Sequence, residues 1–257
     1  MELIDTHCHL YLADFEPDTQ FIINRAREAG VSRMYLPAID SSELERLLAL
    51  EKAFPGECIA MMGLHPCSVK ENYEEELRLV ESQLRQRKFA AVGEIGLDFY
   101  WDVSFADQQY EAFRRQIKWA MELDLPIVIH SRNSIDDCIR VVSENKDGNL
   151  KGIFHCFSGS AEQARQIIDL GFYLGIGGVI TYKNAGLAEA LKDIPLDTMV
   201  LETDAPYLTP VPFRGKRNES SYIKYVAQKL AEVKGVSVQE VAAATTANAQ
   251  NIFRFQG

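Results

Sequence analysis

Eight short apolar runs, each followed by a stretch of helical periodicity, repeat along this chain and restrict it to very few folds. The opening run ends in Ile4-Asp5-Thr6-His7-Cys8-His9, and others span residues 31–38, 58–64, 89–94, 126–130, 152–157, 172–176 and 199–204. Between them, residues 17–30, 41–54, 106–123, 135–144, 161–170 and 183–191 carry apolar side chains at helical spacing. Gly30, Pro55-Gly56 and Gly171 act as stops. The acidic stretch from Glu71 sets Leu77, Val80 and Leu84 on one helical face, so its charges form the solvated side. Ile127-Val128-Ile129 is continuous rather than alternating, as in a strand buried on both faces. Strict strand–helix alternation produces a parallel sheet with right-handed crossovers. At 257 residues, with no linker-like break, the pattern predicts one TIM (β/α)8 barrel domain over residues 1–257, with an additional C-terminal helix after the Pro-rich loop 205–218.

Composition narrows the partners. The chain has 27 basic and 37 acidic residues, a net charge of −10, which argues against a broad nucleic-acid footprint while leaving local basic patches open. No apolar run reaches the roughly 18 residues of a membrane span, and no basic–apolar–small leader pattern opens the chain. The expectation is a cytoplasmic monomer with no membrane partner. Cys8, Cys58, Cys67, Cys138 and Cys156 are odd in number and form no CxxC pair, so they read as buried thiols. Strand parity turns Cys8 and Cys156 away from the histidines beside them.

All five histidines, and two candidate acids, fall at the carboxyl ends of the predicted strands. His7 and His9 end the first, His65 the third, Glu94 the fourth, His130 the fifth, His155 the sixth and Asp204 the eighth. In a barrel those ends share one mouth, where active sites are built. Alternate positions on a strand point the same way, so His7 and His9 can grip one cation together with Asp204 from the neighbouring eighth strand. His130 and His155 on adjacent strands can hold a second, with Glu94 placed to bridge. Imidazole and carboxylate suit borderline divalent metals, and a carboxylate bridge suits two ions. Such a pair supports hydrolysis by activated water, with Asp204 accepting or relaying the proton.

Six segments then carry a family resemblance: Ile4–Leu10 (IDTHCHL), Gly63–Pro66 (GLHP), Val92–Tyr100 (VGEIGLDFY), Ile129–Arg132 (IHSR), His155–Gly159 (HCFSG) and Leu201–Leu208 (LETDAPYL). Together and in order, they resemble the TatD family of metal-dependent deoxyribonucleases, a branch of the amidohydrolase-like barrels. The resemblance implies a TIM barrel and a 3′–5′ exonuclease acting on DNA ends with two divalent ions (Mg, Mn or Zn). It also implies His7, His9, Glu94, His130, His155 and Asp204 as metal ligands, with Asp204 and Glu94 catalytic. Tyr11 stands where the family usually has Asp, Trp101 where it often has Arg, and Ser220 where it usually has Pro. None of the three is a proposed ligand, so these departures bear on substrate preference.

Around the mouth two readings stand for each residue. His65 is a phosphate or leaving-group contact, or a structural partner of Pro66. Arg132 shares side-chain parity with His130 and binds phosphate, or braces the rim in a salt bridge. Arg214, Lys216 and Arg217 seat a polyanion, or form a solvated loop. Phe99, Tyr100 and Trp101 stack on splayed bases, or pack under their own loop. Glu202, one step deeper than Asp204, is a supporting partner rather than a ligand. A small-molecule amidohydrolase or aminoacyl-ester hydrolase on the same binuclear barrel is the alternative; Glu94, in place of a bridging Lys, disfavours its cyclic-amide branch. A metal-binding scaffold without turnover is disfavoured by the retention of six potential ligands.

Overall fold

The computed structural model describes residues 1–148 and 150–254. Its strands are β1 (Leu3–Asp5), β2 (Val31–Leu36), β3 (Cys58–Ala60), β4 (Val92–Asp98), β5 (Ile127–Arg132), β6 (Gly152–Phe154), β7 (Tyr173–Ile176) and β8 (Met199–Leu201). Helices alternate with them: α1 (Thr19–Glu28), α2 (Leu44–Ala53), α3 (Tyr73–Gln86), α4 (Ala106–Glu122), α5 (Ile135–Asn145), α6 (Ala161–Asp169) and α7 (Leu187–Leu191), with α8 (Ile223–Lys234) and α9 (Val238–Ile252) closing the chain.

All strand pairs are parallel, in a sheet ordered β1-β2-β3 and another ordered β4-β5-β6-β7-β8. Backbone hydrogen bonds join the sheets at both seams. Thr6 N–H donates to Leu201 O at 3.0 Å and Asp204 N–H to His7 O at 2.9 Å; on the other side, Gly93 N–H donates to Met62 O at 3.0 Å. The TIM-barrel expectation therefore matches the observed architecture, and α9 is the additional helix.

Two apolar layers result. The outer one lies between strands and helices, because each helix buries a single stripe, such as Leu77, Val80 and Leu84 of α3. The inner one collects Ile4, Tyr35, Ile59, Val128, Ile153 and Val200, one residue from each of six strands, against Ala249, Ile252 and Phe253 of the C-terminal segment. Phe253 stacks on Tyr35 with ring centroids 3.9 Å apart. Asn248 Nδ2 donates to Met199 O at 2.7 Å, which fixes α9 across the amino ends of the strands. The barrel thus has an apolar floor.

Several strand limits differ from the sequence expectation. The fourth, expected at 89–94 with a loop from Gly96, runs Val92–Asp98. Gly96 permits this: with φ +141°, a Cβ there would stand 2.1 Å from His130 O, so only glycine lets β4 lie against β5. β3, β6 and β8 stop early, leaving His65, His155 and Asp204 beyond the sheet. α7 starts at Leu187 rather than 183, after Gly186 at φ 70°. Cys67 and Cys156 are only partly buried, a departure from the buried-thiol reading.

Candidate metal centre

On β5, β6 and β8 the floor residues and the polar residues of the mouth are successive members of the same inward rows. Val128 is followed two places on by His130, Ile153 by His155, and Val200 by Glu202 and then Asp204. The period of two that points the apolar residues inward carries the imidazoles and carboxylates inward above them. β1 itself ends at Asp5, yet the chain continues extended between its neighbours: Cys8 N–H donates to Tyr35 O at 3.0 Å and His9 N–H to Ala205 O at 2.7 Å. His7 and His9 therefore still face the same way, and Cys8 turns its thiol toward Tyr35 O.

Four donor atoms meet at one point. His7 Nε2 lies 3.2 Å from His9 Nε2, 3.1 Å from Glu94 Oε2 and 3.7 Å from Asp204 Oδ1, while His9 Nε2 lies 3.6 Å from both carboxylates. Ligands about 2.1 Å from a tetrahedral centre stand about 3.4 Å apart, so these spacings fit a single ion. Asp204 is held in the left-handed region at φ 57°, with its N–H on His7 O and its own carbonyl accepting from Tyr207 N–H at 2.8 Å.

The other oxygen of Glu94 faces a second group. Oε1 is 2.8 Å from His130 Nδ1, 3.4 Å from His65 Nε2 and 3.7 Å from His155 Nε2. His155 lies flat on His7, centroids 3.4 Å apart, and its Nε2 is 3.8 Å from Asp204 Oδ1. The structure thus brings His7, His9, Glu94, His130, His155 and Asp204 together, and draws His65 in with them.

What holds the second nitrogen of each imidazole decides which lone pair faces inward. Tyr11 Oη donates to Pro37 O at 2.6 Å, so it accepts from His9 Nδ1–H at 2.9 Å and leaves His9 Nε2 as a lone pair. Asp98 Oδ2 accepts from His130 Nε2–H at 2.8 Å and so turns His130 Nδ1 to Glu94 Oε1, also 2.8 Å away. His65 is the opposite case. Its Nδ1 accepts from Cys67 N–H at 3.0 Å, so Nε2 carries the hydrogen and points it at Glu94. His155 Nδ1 sits 3.1 Å from Glu202 Oε1, though out of hydrogen-bond alignment. Glu202 also accepts from Cys156 N–H, and the absent side chain of Gly175 makes its room, since a Cβ would stand 2.3 Å from Oε2. Cys156, at φ 47°, joins this group instead of facing away.

Electrostatics follow from burial working against mutual charge. Burial pushes the Glu94 carboxyl up, but His65, His7 and His155 outweigh it and hold it well below the usual range. Asp204 is also held low against its burial, chiefly by His155 and His9. Burial, seconded by the charge of His155, lowers His7 to about 4. Burial lowers His155 too, yet Glu202, Glu94 and Asp204 raise it to about 10. Carboxylates and imidazoles are the donor types that divalent cations take, and His155 would give up its proton on ligation.

Sequence reasoning gave no role to Asp98 or Asp5, and it read Tyr11 as bearing on substrate preference, whereas the Tyr11 hydroxyl meets His9 Nδ1 at 2.9 Å. Asp5 Oδ1 accepts from Thr203 N–H at 3.0 Å, and Oδ2 from Thr203 Oγ1 and Ser220 Oγ at 2.6 Å, which ties β1 to the segment carrying Asp204. At the rim, Arg132 lies over Tyr100 at 3.8 Å and Arg214 over Tyr182 at 4.4 Å. The basic cluster divides: Arg217 is engaged by Asp18 at 2.6 Å, whereas Arg214 and Lys216 have no ion pair among the described residues. No described helix is long and apolar enough to cross a membrane.

A family profile described as TatD related DNase matches residues 4–254. The chain is 42% identical over 253 residues to the uncharacterized metal-dependent hydrolase YabD of Bacillus subtilis, covering 98% of this chain and 99% of that protein. It is 32% identical over 257 residues to the 3′-5′ ssDNA/RNA exonuclease TatD of Erwinia tasmaniensis, covering 98% and 99%. The crystal structure of YJJV, a TatD homologue from Escherichia coli K12, superposes with a TM-score of 0.93 at 32% identity, covering 99% of this chain and 98% of that one. With the full span of the profile and the geometry above, the chain belongs to the TatD family of metal-dependent hydrolases.

Proposed function

We propose that this protein hydrolyses DNA phosphodiester bonds from strand ends in the 3′–5′ direction, with two divalent cations at the mouth. The observation that supports this most is the division of Glu94: Oε2 faces His7 and His9, while Oε1 faces His130 and His155. His7, His9 and Asp204 would hold one cation and His130 and His155 the other, with Glu94 between them. Magnesium, manganese or zinc there supplies Lewis acidity toward a phosphoryl oxygen and lowers the pKa of water. Asp204 is the proton acceptor, because its side chain keeps 13% exposure toward the mouth while that of Glu94 keeps 2%. His65 Nε2–H is a donor at the same opening and would orient a phosphate or leaving-group oxygen.

The test is the purified protein on 3′- and 5′-labelled oligonucleotides with Mg²⁺, Mn²⁺ or Zn²⁺, beside aminoacyl esters and cyclic amides. Stepwise loss from the 3′ end, stopped by chelator and abolished by Asp204→Asn, is the expected result. Turnover of an amide or aminoacyl ester with DNA left intact would overturn it in favour of the small-molecule reading.

A further inference from the structure

We propose that Trp101 and Arg132 form a subsite beside the mouth, in which the Trp101 ring stacks on an unpaired nucleobase while the Arg132 guanidinium holds its phosphate. This rests on the nuclease reading above. Trp101 is 69% exposed and Tyr100 53%, unusual for large aromatics on one short loop. Their rings meet edge to face, centroids 4.8 Å apart at 87°. The Arg132 guanidinium lies 3.8 Å from the Tyr100 centroid and 5.1 Å from that of Trp101.

The loop is tied to the metal centre. Asp98 Oδ1 accepts from Tyr100 N–H at 3.0 Å and Trp101 N–H at 3.3 Å, while Oδ2 holds His130 Nε2, whose Nδ1 meets Glu94. One carboxylate therefore fixes both a proposed metal-facing imidazole and the backbone of the aromatic pair. On the far side, Asp102 accepts from Ser104 N–H at 2.9 Å and from Lys70 Nζ at 2.6 Å.

The chemistry assigns complementary tasks. Arg132 makes no ion pair with a carboxylate among the described residues of a chain carrying −10. With one face on Tyr100, it keeps the N–H edges of its fork for a phosphate. Trp101 offers a π-face, and any unstacked base can lie on it, whereas an internal base of a duplex has both faces covered. Charge complementarity and an anchored aromatic face beside the mouth thus select a strand whose base can swing free.

The experiment uses the full-length protein loaded with Mn²⁺ and phosphorothioate ten-mers, which resist turnover during titration. A thymidine ten-mer should bind roughly ten-fold tighter than an abasic backbone of equal length, or than an internally paired duplex. It should also quench tryptophan emission, because Trp119, the other tryptophan, is only 7% exposed. Trp101→Ala should erase the preference for bases. Trp101→Phe should keep most of it without the quench, and Arg132→Gln should flatten the salt dependence for both backbones. Equal binding of base-bearing and abasic strands, by a protein that does digest single-stranded DNA, overturns the subsite and leaves the nuclease reading intact. Failure to bind or digest any strand sinks that reading and the subsite with it.

Discussion

The two ends of the barrel are built from the same strands and answer to opposite physical demands. At the floor, Ile4, Tyr35, Val128, Ile153 and Val200 meet Ile252 and Phe253, and each contact lowers free energy by removing apolar surface from water. At the mouth, further along the chain from these strands, Glu94, Asp204 and five histidines are gathered at spacings that burial alone would penalise. The floor stabilises the chain; the mouth is a concentration of charge that a folded protein keeps for chemistry. Substitutions at the two ends should therefore separate activity from stability.

The largest expected effect is on rate at the mouth. Glu94→Gln keeps the shape but removes the negative charge and leaves an acceptor oxygen for only one of the two groups, and kcat should fall on the order of a thousandfold. Steady-state hydrolysis by the folded variant checks this; retention of a tenth of the wild-type rate would break the contrast. Chelation comes next. A cation bound a thousandfold above its Kd adds about 4 kcal/mol, so chelator should lower the wild-type Tm, and should do so far less in Glu94→Gln. Thermal denaturation with and without chelator reads the difference.

At the floor, Ile153→Ala should cost about 3 kcal/mol in urea unfolding, because the buried site collapses incompletely. Its rate per folded molecule should stay near wild type. A large fall in kcat would mean that floor and mouth are not separable. Smaller still is Tyr11→Phe, which removes the hydroxyl that accepts from His9 Nδ1–H and frees His9 to take the other tautomer. Apparent cation affinity should weaken about 10- to 100-fold, with activity recovering at high metal concentration. An unchanged metal titration would remove Tyr11 from the site.

The same contrast explains what was legible in the sequence. Apolar rows with a period of two, and histidines at their far ends, are local patterns, so the barrel and the gathering of His7, His9, His130 and His155 could be read from single segments. Strand ends were less legible. β3, β6 and β8 stop where their residues turn toward the mouth, a consequence of the assembled ring rather than of propensity. The supporting carboxylates were least legible. Asp98 meets His130 across a β4–β5 pairing, and Asp5 meets Thr203 and Ser220 from 198 and 215 residues away, so no local window contains the partnership. His65 was visible as a residue, but its tautomer depended on the turn that places Cys67 N–H on Nδ1.

Asp5 stands between the two regions, directly after Ile4 of the floor and two residues before His7, and its titration sharpens the comparison most finely. Burial raises its carboxyl from 3.8 to about 7, against hydrogen bonds from Ser220 and Thr203 that work the other way. Below pH 3.8 the carboxyl is protonated in both folded and unfolded chains; between 3.8 and 7 the folded chain holds a proton that the unfolded chain releases. Stability from this group is therefore complete in acid and is lost as pH rises through 7, at about 1 kcal/mol between pH 5 and 6. Asp5→Asn cannot titrate, and the neighbouring hydroxyls of Thr203 and Ser220 can turn to accept from its amide. Urea unfolding in chelator at pH 5 and pH 6 should show the wild type losing about 1 kcal/mol more than Asp5→Asn over that interval. Equal losses would mean that Asp5 is ionised in the folded chain, so that the charge gathered at the mouth reaches one residue deeper, to the edge of the apolar floor.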